Sequence, residues 1–176
     1  MDLFTKKILK AIGIYIIFAV IVIILFQTVF MLSLIPSSSM EPTIEVNNVV
    51  FSTRYDVKEE DIERFDILVF IPPDNPDITY IKRVIGLPGE TIEVKDGKVY
   101  ADGVELEDSF IKDSQNHVGD GVYEVPEGYY FFLGDNRNNS KDSRFWDNPY
   151  VPADDIQAKA KCILFHFADI CSLSYN

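Results

Sequence analysis

Cysteine and histidine are scarce in this chain of 176 residues, with two of each. Two cysteines cannot build a disulfide scaffold or a Cys-rich zinc site. His117 and His166 stand far apart with no Cys or carboxylate ligand spacing beside them, so a His-based metal site is not expected. Cations are outnumbered, 16 Lys and Arg against 28 Asp and Glu, for a net charge of −12. Nucleic-acid binding needs clustered cations, so nucleic acid is not expected as a partner; no cofactor is expected either. Beyond Pro36 there is no long helical period, no internal repeat and no low-complexity linker. The remaining composition, 47% hydrophobic and 25% charged, is that of a folded domain, here one of ordinary size with an appendage.

The appendage is a run without charge. No Asp, Glu, Lys or Arg lies between Lys10 and Glu41, and residues 11–31 are apolar over the length of about 20 that a helix needs to cross a bilayer. A cleavable secretory signal has a core of about 7–15 residues and a small-x-small cleavage site, which this run lacks. A helix buried in a soluble core usually keeps a polar stripe, and this one has none. The run reads as a membrane span. Lys6, Lys7 and Lys10 precede it, and the first cation after it is Arg54. The positive-inside rule then places residues 1–10 in the cytoplasm, 11–31 in the cell membrane as a single pass, and 32–176 outside it. Setting aside Asp2 and the three lysines leaves 13 cations against 27 carboxylates, so the outer part carries −14. Anionic headgroups repel such a domain, and the helix has to tether it unless an apolar edge also inserts.

The outer part reads as short strands. Residues 48–52 and 67–71 are apolar enough to be buried strands, and Pro72-Pro73 and Asn75-Pro76 break the chain before a further strand at 78–85. Asp96-Gly97 and Asp102-Gly103 make residues 91–106 a tight three-strand meander. Residues 129–133 and 159–167 are two more strands, and the charge-dense 56–64 reads as one or two helical turns. The expected fold is mostly β, a coiled antiparallel sheet or barrel behind one N-terminal transmembrane helix.

Three clusters are candidates for chemistry. Pro36-Ser37-Ser38-Ser39-Met40-Glu41-Pro42-Thr43 follows the span, and turn residues of this kind also suit a plain membrane-exit loop. Lys82, in Tyr80-Ile81-Lys82-Arg83-Val84-Ile85, sits in an apolar strand. Strict alternation puts Tyr80, Lys82 and Val84 on one face and Ile81, Arg83 and Ile85 on the other. One cation per face is odd for a structural strand, although lysines also blunt exposed edges. The third cluster, residues 134–144, is a long polar loop after a buried-looking strand. Such a loop can brace a site by hydrogen bonding; it lacks the EF-hand spacing that would suggest calcium. Together the clusters have a chemical logic. A serine hydroxyl needs a base to take its proton, and with no usable histidine that base can be Lys82. A free lysine, with a pKa of about 10.4, is almost wholly protonated at neutral pH. Apolar surroundings disfavour the charge and make the amine a usable base.

In this order after a membrane anchor, the three segments resemble the bacterial type I signal peptidase family, and the resemblance covers nearly the whole chain. It implies a coiled antiparallel β fold. It also implies that Ser39 is the nucleophile, Lys82 the general base, and Ser37 the hydroxyl joining the Ser39 N–H in an oxyanion hole. By the same resemblance Ser140 orients the lysine, Asp142 and Arg144 form a supporting salt bridge, and Ile35, Met40, Ile44, Tyr80 and Ile81 build shallow apolar substrate pockets. The implied reaction is acyl transfer on exported preproteins. A segment ending in an Ala-x-Ala type site adds as a strand beside residues 33–37 and 79–81, and the product is a signal peptide cut from its mature protein.

The chain departs from the family pattern in two places. The stretch between Gly89 and Gly134 is short, so a large extra β-domain is absent or reduced, and the turn after Phe145-Trp146 is lengthened before Val151-Pro152. Rival readings are a dyad peptidase of narrow substrate range and a non-enzymatic membrane-anchored β-domain; retention of both Ser39 and Lys82 speaks against the latter. Cys162 and Cys171, nine apart, can pair or stay apart, and neither shows the surroundings of a nucleophile. The histidines read as loop and strand residues, Trp146 as core, and the chain as a monomer.

Overall fold

In the computed structural model the structure describes residues 2–111 and 119–166. Helix α1 (Leu3–Thr28) starts where the Asp2 side chain accepts the Thr5 N–H at 2.7 Å, an N-cap that satisfies an otherwise orphaned donor. At a rise of about 1.5 Å per residue its 26 residues span about 39 Å, longer than the roughly 30 Å hydrocarbon core. None of its residues is buried against the rest of the chain. The helix differs from the apolar run at both ends. It takes in Lys6, Lys7 and Lys10, because the Asp2 cap lies ahead of them, and it stops at Thr28. Phe30 and Met31 are pulled instead into β1 (Phe30–Leu34), which pairs antiparallel with β2 (Asn48–Thr53).

The remaining strands are β3 (Ile67–Phe70), β4 (Tyr80–Gly86), β5 (Thr91–Lys95), β6 (Lys98–Ala101), β7 (Val104–Glu105), β8 (Gly121–Glu124), β9 (Tyr129–Leu133), β10 (Tyr150–Pro152) and β11 (Ile156–His166). Among the described residues they form two antiparallel sheets. The larger runs β1-β2-β11-β3-β4-β9-β10, and the smaller β7-β6-β5-β8. The smaller sheet is the expected meander plus β8. In both of its tight turns the Asp and the Gly have positive φ (Asp96 52°, Gly97 78°; Asp102 49°, Gly103 79°), as two-residue hairpin loops require. The charged stretch at 56–64 holds only a short 3₁₀ turn (Glu59–Asp61).

Strand β9 explains how the sheets share a core. Its Tyr130 and Phe132 pack with Phe70, Val84 and Trp146, while Phe131 and Leu133 pack with Ile85, Ile92 and Val94. A strand buried on both faces needs an unbroken apolar run, and Tyr-Tyr-Phe-Phe-Leu supplies one. The chain passes from β4 to the smaller sheet through Gly86. A Cβ there would stand 2.7 Å from Ile92 and 2.9 Å from both Phe131 and Val125, so only glycine allows the crossing. A third cluster of Ile35, Met40, Ile44 and Val50 lies under the loop between β1 and β2.

Candidate active site

The loop after β1 is built to hold Ser39 still. The Ile35 N–H donates to Asn48 O and the Asn47 N–H to Ile35 O, which closes the loop at its base. The side chain of Met40 is fully buried and anchors the residue next to Ser39. Glu41 N–H donates to Ser38 O at 3.1 Å, and the Glu41–Pro42 peptide is cis. From the other side comes the loop after β9. Its Asn136 N–H donates to Ser39 O at 3.1 Å, its Asn136 side-chain amide to Ser38 O at 3.0 Å, and Asn139 Nδ2 to Ser38 Oγ at 2.8 Å. A Cβ on Gly134 would stand 2.5 Å from Ser39 O and would collide with the Ser140 side chain. A glycine here is what lets the two loops meet.

Strand β4 brings Lys82 to this point. Its ammonium nitrogen lies 2.5 Å from Ser39 Oγ, and the residue is 4% exposed. Burial pulls its pKa from 10.5 down to about 8, against the opposing pull of the Asp142 and Asp135 charges. At pH 7 roughly one lysine in ten is then neutral. Nζ also lies 5.3 Å from the Tyr80 ring centroid. Ser37 Oγ is 3.4 Å from Ser39 Oγ on the open side. The pair opens into a groove of about 690 Å³ whose walls include residues 33–37 and 77–82, with Asn139 and Lys141 at its rim.

Two buried ion pairs stand behind the lysine. Asp142 binds Arg144 through Nε at 2.8 Å and Nη2 at 2.9 Å, with both side chains fully buried, and it also accepts the Gly134 N–H at 3.0 Å. Arg144 Nη2 donates to Arg137 O at 2.8 Å. Arg83 holds Asp135 through Nε at 2.8 Å and Nη2 at 2.5 Å, and Thr43 Oγ1 donates to the same carboxylate at 2.5 Å. Paired in this way, both carboxylates are buried with their charge compensated.

This geometry has relatives. The family model "Signal peptidase, peptidase S26" matches residues 6–165. The chain belongs to that family. It is 42% identical over 133 residues to a signal peptidase I of Leptolyngbya laminosa, covering 72% of this chain and 64% of that one. It is 40% identical over 131 residues to a probable signal peptidase I-2 of Synechocystis, covering 72% and 59%. With a signal peptidase I of Pseudomonas fluorescens it shares 31% over 160 residues, covering 68% and 56%. The matched region is thus less than two thirds of the length of each of these relatives. Among solved structures, a signal peptidase I from Enterococcus faecalis V583 matches with a TM-score of 0.50 at 34% identity, over 57% of this chain and 97% of that one. The mostly antiparallel β fold expected from the sequence is the fold of this S26 chain.

Within this S26 site the residues singled out from the sequence do not all meet. Ser37, Ser39 and Lys82 converge, and Ile35, Tyr80 and Ile81 line the groove beside them. Met40 and Ile44 do not line that groove. They are buried beneath it with Val50, and Ile44 faces a separate apolar hollow beside Ala160 and Ile163. Asp142 and Arg144 pair with each other. Ser140 Oγ is buried with no hydrogen-bond partner and does not bond Lys82, whose amine is turned to Ser39 instead. Sequence reasoning assigned no role to Thr43, Arg83, Gly134, Asp135, Asn136 or Asn139. The signals for this set were the hydrogen-bonding loop at 134–144, flagged only as a whole, and Arg83, a cation in an apolar strand whose partner lies 52 residues away. Trp146 is in the core and Cys162 is exposed on β11. His117, Cys171 and any pairing of the two cysteines fall outside the described residues.

Proposed function

We propose that this chain is a single-pass, membrane-anchored serine endopeptidase that removes signal peptides from exported preproteins. The observation that carries the reading is the 2.5 Å approach of Ser39 Oγ to a buried amine whose pKa is pulled down to about 8, at the mouth of an apolar groove. Membership of the S26 family, whose model carries the description signal peptidase, supports that substrate class. The preprotein's extended segment adds as a strand between residues 33–37 and 79–81, with small side chains, as in Ala-x-Ala, against Ile35, Tyr80 and Ile81. Neutral Lys82 takes the Ser39 proton while Oγ attacks the carbonyl carbon. The Ser39 N–H and the Ser37 hydroxyl stabilise the oxyanion; in other enzymes one such donor is worth about 2.7–4 kcal/mol. Lys82 then protonates the leaving amine, and water, deprotonated by the same lysine, frees the signal peptide from Ser39. The N-terminus lies in the cytoplasm, α1 crosses the cell membrane, and the domain from β1 onward carries the site outside it.

The test is incubation of the purified full chain in detergent with a signal-bearing preprotein, reading the cut position by mass spectrometry. Cleavage after a small-x-small site is expected from the native chain. Ser39→Ala and Lys82→Ala should fold and leave the preprotein intact. Near-normal processing by both variants rejects the dyad.

A further inference from the structure

The Arg83–Asp135–Thr43 network ties together three segments that each carry part of the site. Thr43 is four residues after Ser39, Arg83 is next to Lys82, and Asp135 is next to Asn136, whose N–H holds Ser39 O. Its hub is the guanidinium of Arg83, which donates to Asp135 twice, to Thr43 Oγ1 at 3.3 Å and to Phe65 O at 2.9 Å. Phe65 is a non-glycine residue at φ 74°, a conformation that persists only where its surroundings enforce it. One residue covers both. Phe110, from the segment after β7, stacks its ring 4.2 Å from the Arg83 guanidinium carbon and 5.5 Å from the Phe65 ring. It comes from the smaller sheet's side of the molecule and makes no part of the groove. A planar guanidinium whose edge is taken up by hydrogen bonds still has its faces open, and an aromatic ring on one face excludes water and adds cation–π attraction.

We propose that Phe110 is a positioning residue for the Ser39–Lys82 pair, acting through the face of Arg83. The inference rests on the peptidase reading for its kinetic consequence but not for its structural one. Phe110→Ala should lower kcat about 3- to 30-fold while KM stays within about twofold, because the groove walls are untouched. Phe110→Tyr and Phe110→Trp, which keep a π face, should restore most of the rate. Phe110→Leu, apolar without one, should not. In an Arg83→Lys background, where the planar partner is gone, Phe110→Ala should change kcat by less than about twofold. Amide hydrogen exchange over 134–140 gives a readout independent of activity. Exchange of the Asn136 N–H should quicken about 3- to 30-fold in the Ala and Leu variants and stay slow in Tyr. Full activity and native exchange in Phe110→Leu, or a Phe110→Ala variant that loses only thermal midpoint, overturns the proposal. If the native chain cleaves nothing, the peptidase reading fails, and the exchange pattern alone decides whether Phe110 holds the site.

Discussion

A single amine carries the chemistry proposed here, and its environment sets the pH at which it works. Lys82 acts as a base only when neutral, and burial brings its pKa to about 8. The rate therefore climbs with pH through that value and is lost below it; kcat/KM measured from pH 6 to 10 should show one ascending limb near 8. Lys82→Arg should be inactive across the same range, because a guanidinium does not give up its proton. Asp142 opposes the burial effect, and Arg144 compensates Asp142. Arg144→Gln would leave a fully buried carboxylate unpaired, at a cost of roughly 3–5 kcal/mol. It should also drive the Lys82 pKa up, moving the ascending limb to higher pH. Thermal unfolding and the pH–rate profile read the two effects separately.

At the scale of elements, the site is a meeting of two loops over one strand. The loop after β1 presents Ser39, the loop after β9 grips its carbonyl, and β4 threads Lys82 between them. Gly134 is the hinge of that contact because its missing side chain leaves room for Ser39 O. A Cβ in Gly134→Ala meets the Ser140 side chain and also the backbone oxygen of Ser39, which cannot swing aside. The substitution should cost about 1–3 kcal/mol of stability and lower kcat at least tenfold, checked by thermal unfolding and steady-state kinetics. Asn136 works on the same contact with two donors, and Asn136→Ala should lower kcat with a smaller loss of stability, since the backbone N–H of residue 136 remains.

Taken whole, the molecule is an acidic β-domain on an apolar rod. Only Val29 separates α1 from β1, so the domain follows the helix without a linker. The strands nearest the helix expose Leu32 and Leu34, and β11 exposes Ile163, Leu164 and Phe165. Deleting residues 2–28 should leave cleavage of a soluble peptide in detergent within a few-fold of native. With a preprotein embedded in vesicles it should fall by about two orders of magnitude or more, because tethering works by effective concentration and needs no new contact. Comparing the two substrates with one truncated protein checks it.

Local features of this chain could be read without a structure because short-range physics decides them. The apolar run, the Asp-Gly turns and the continuous apolar strand β9 are fixed by hydration and by backbone sterics within a few residues. Lys82 stood out as a cation in an apolar strand, whereas the serine turn alone suited a membrane-exit loop and Ser39 was singled out only by the family resemblance. The end of the helix at Thr28, the placement of Met40 and Ile44 beneath the groove, and the lack of a Ser140–Lys82 bond were decided by packing. So were the Arg83–Asp135 pair, the glycine contact at 134 and the ring of Phe110. Each of these joins residues far apart in the chain, and no local pattern records which distant partner will compensate a buried charge.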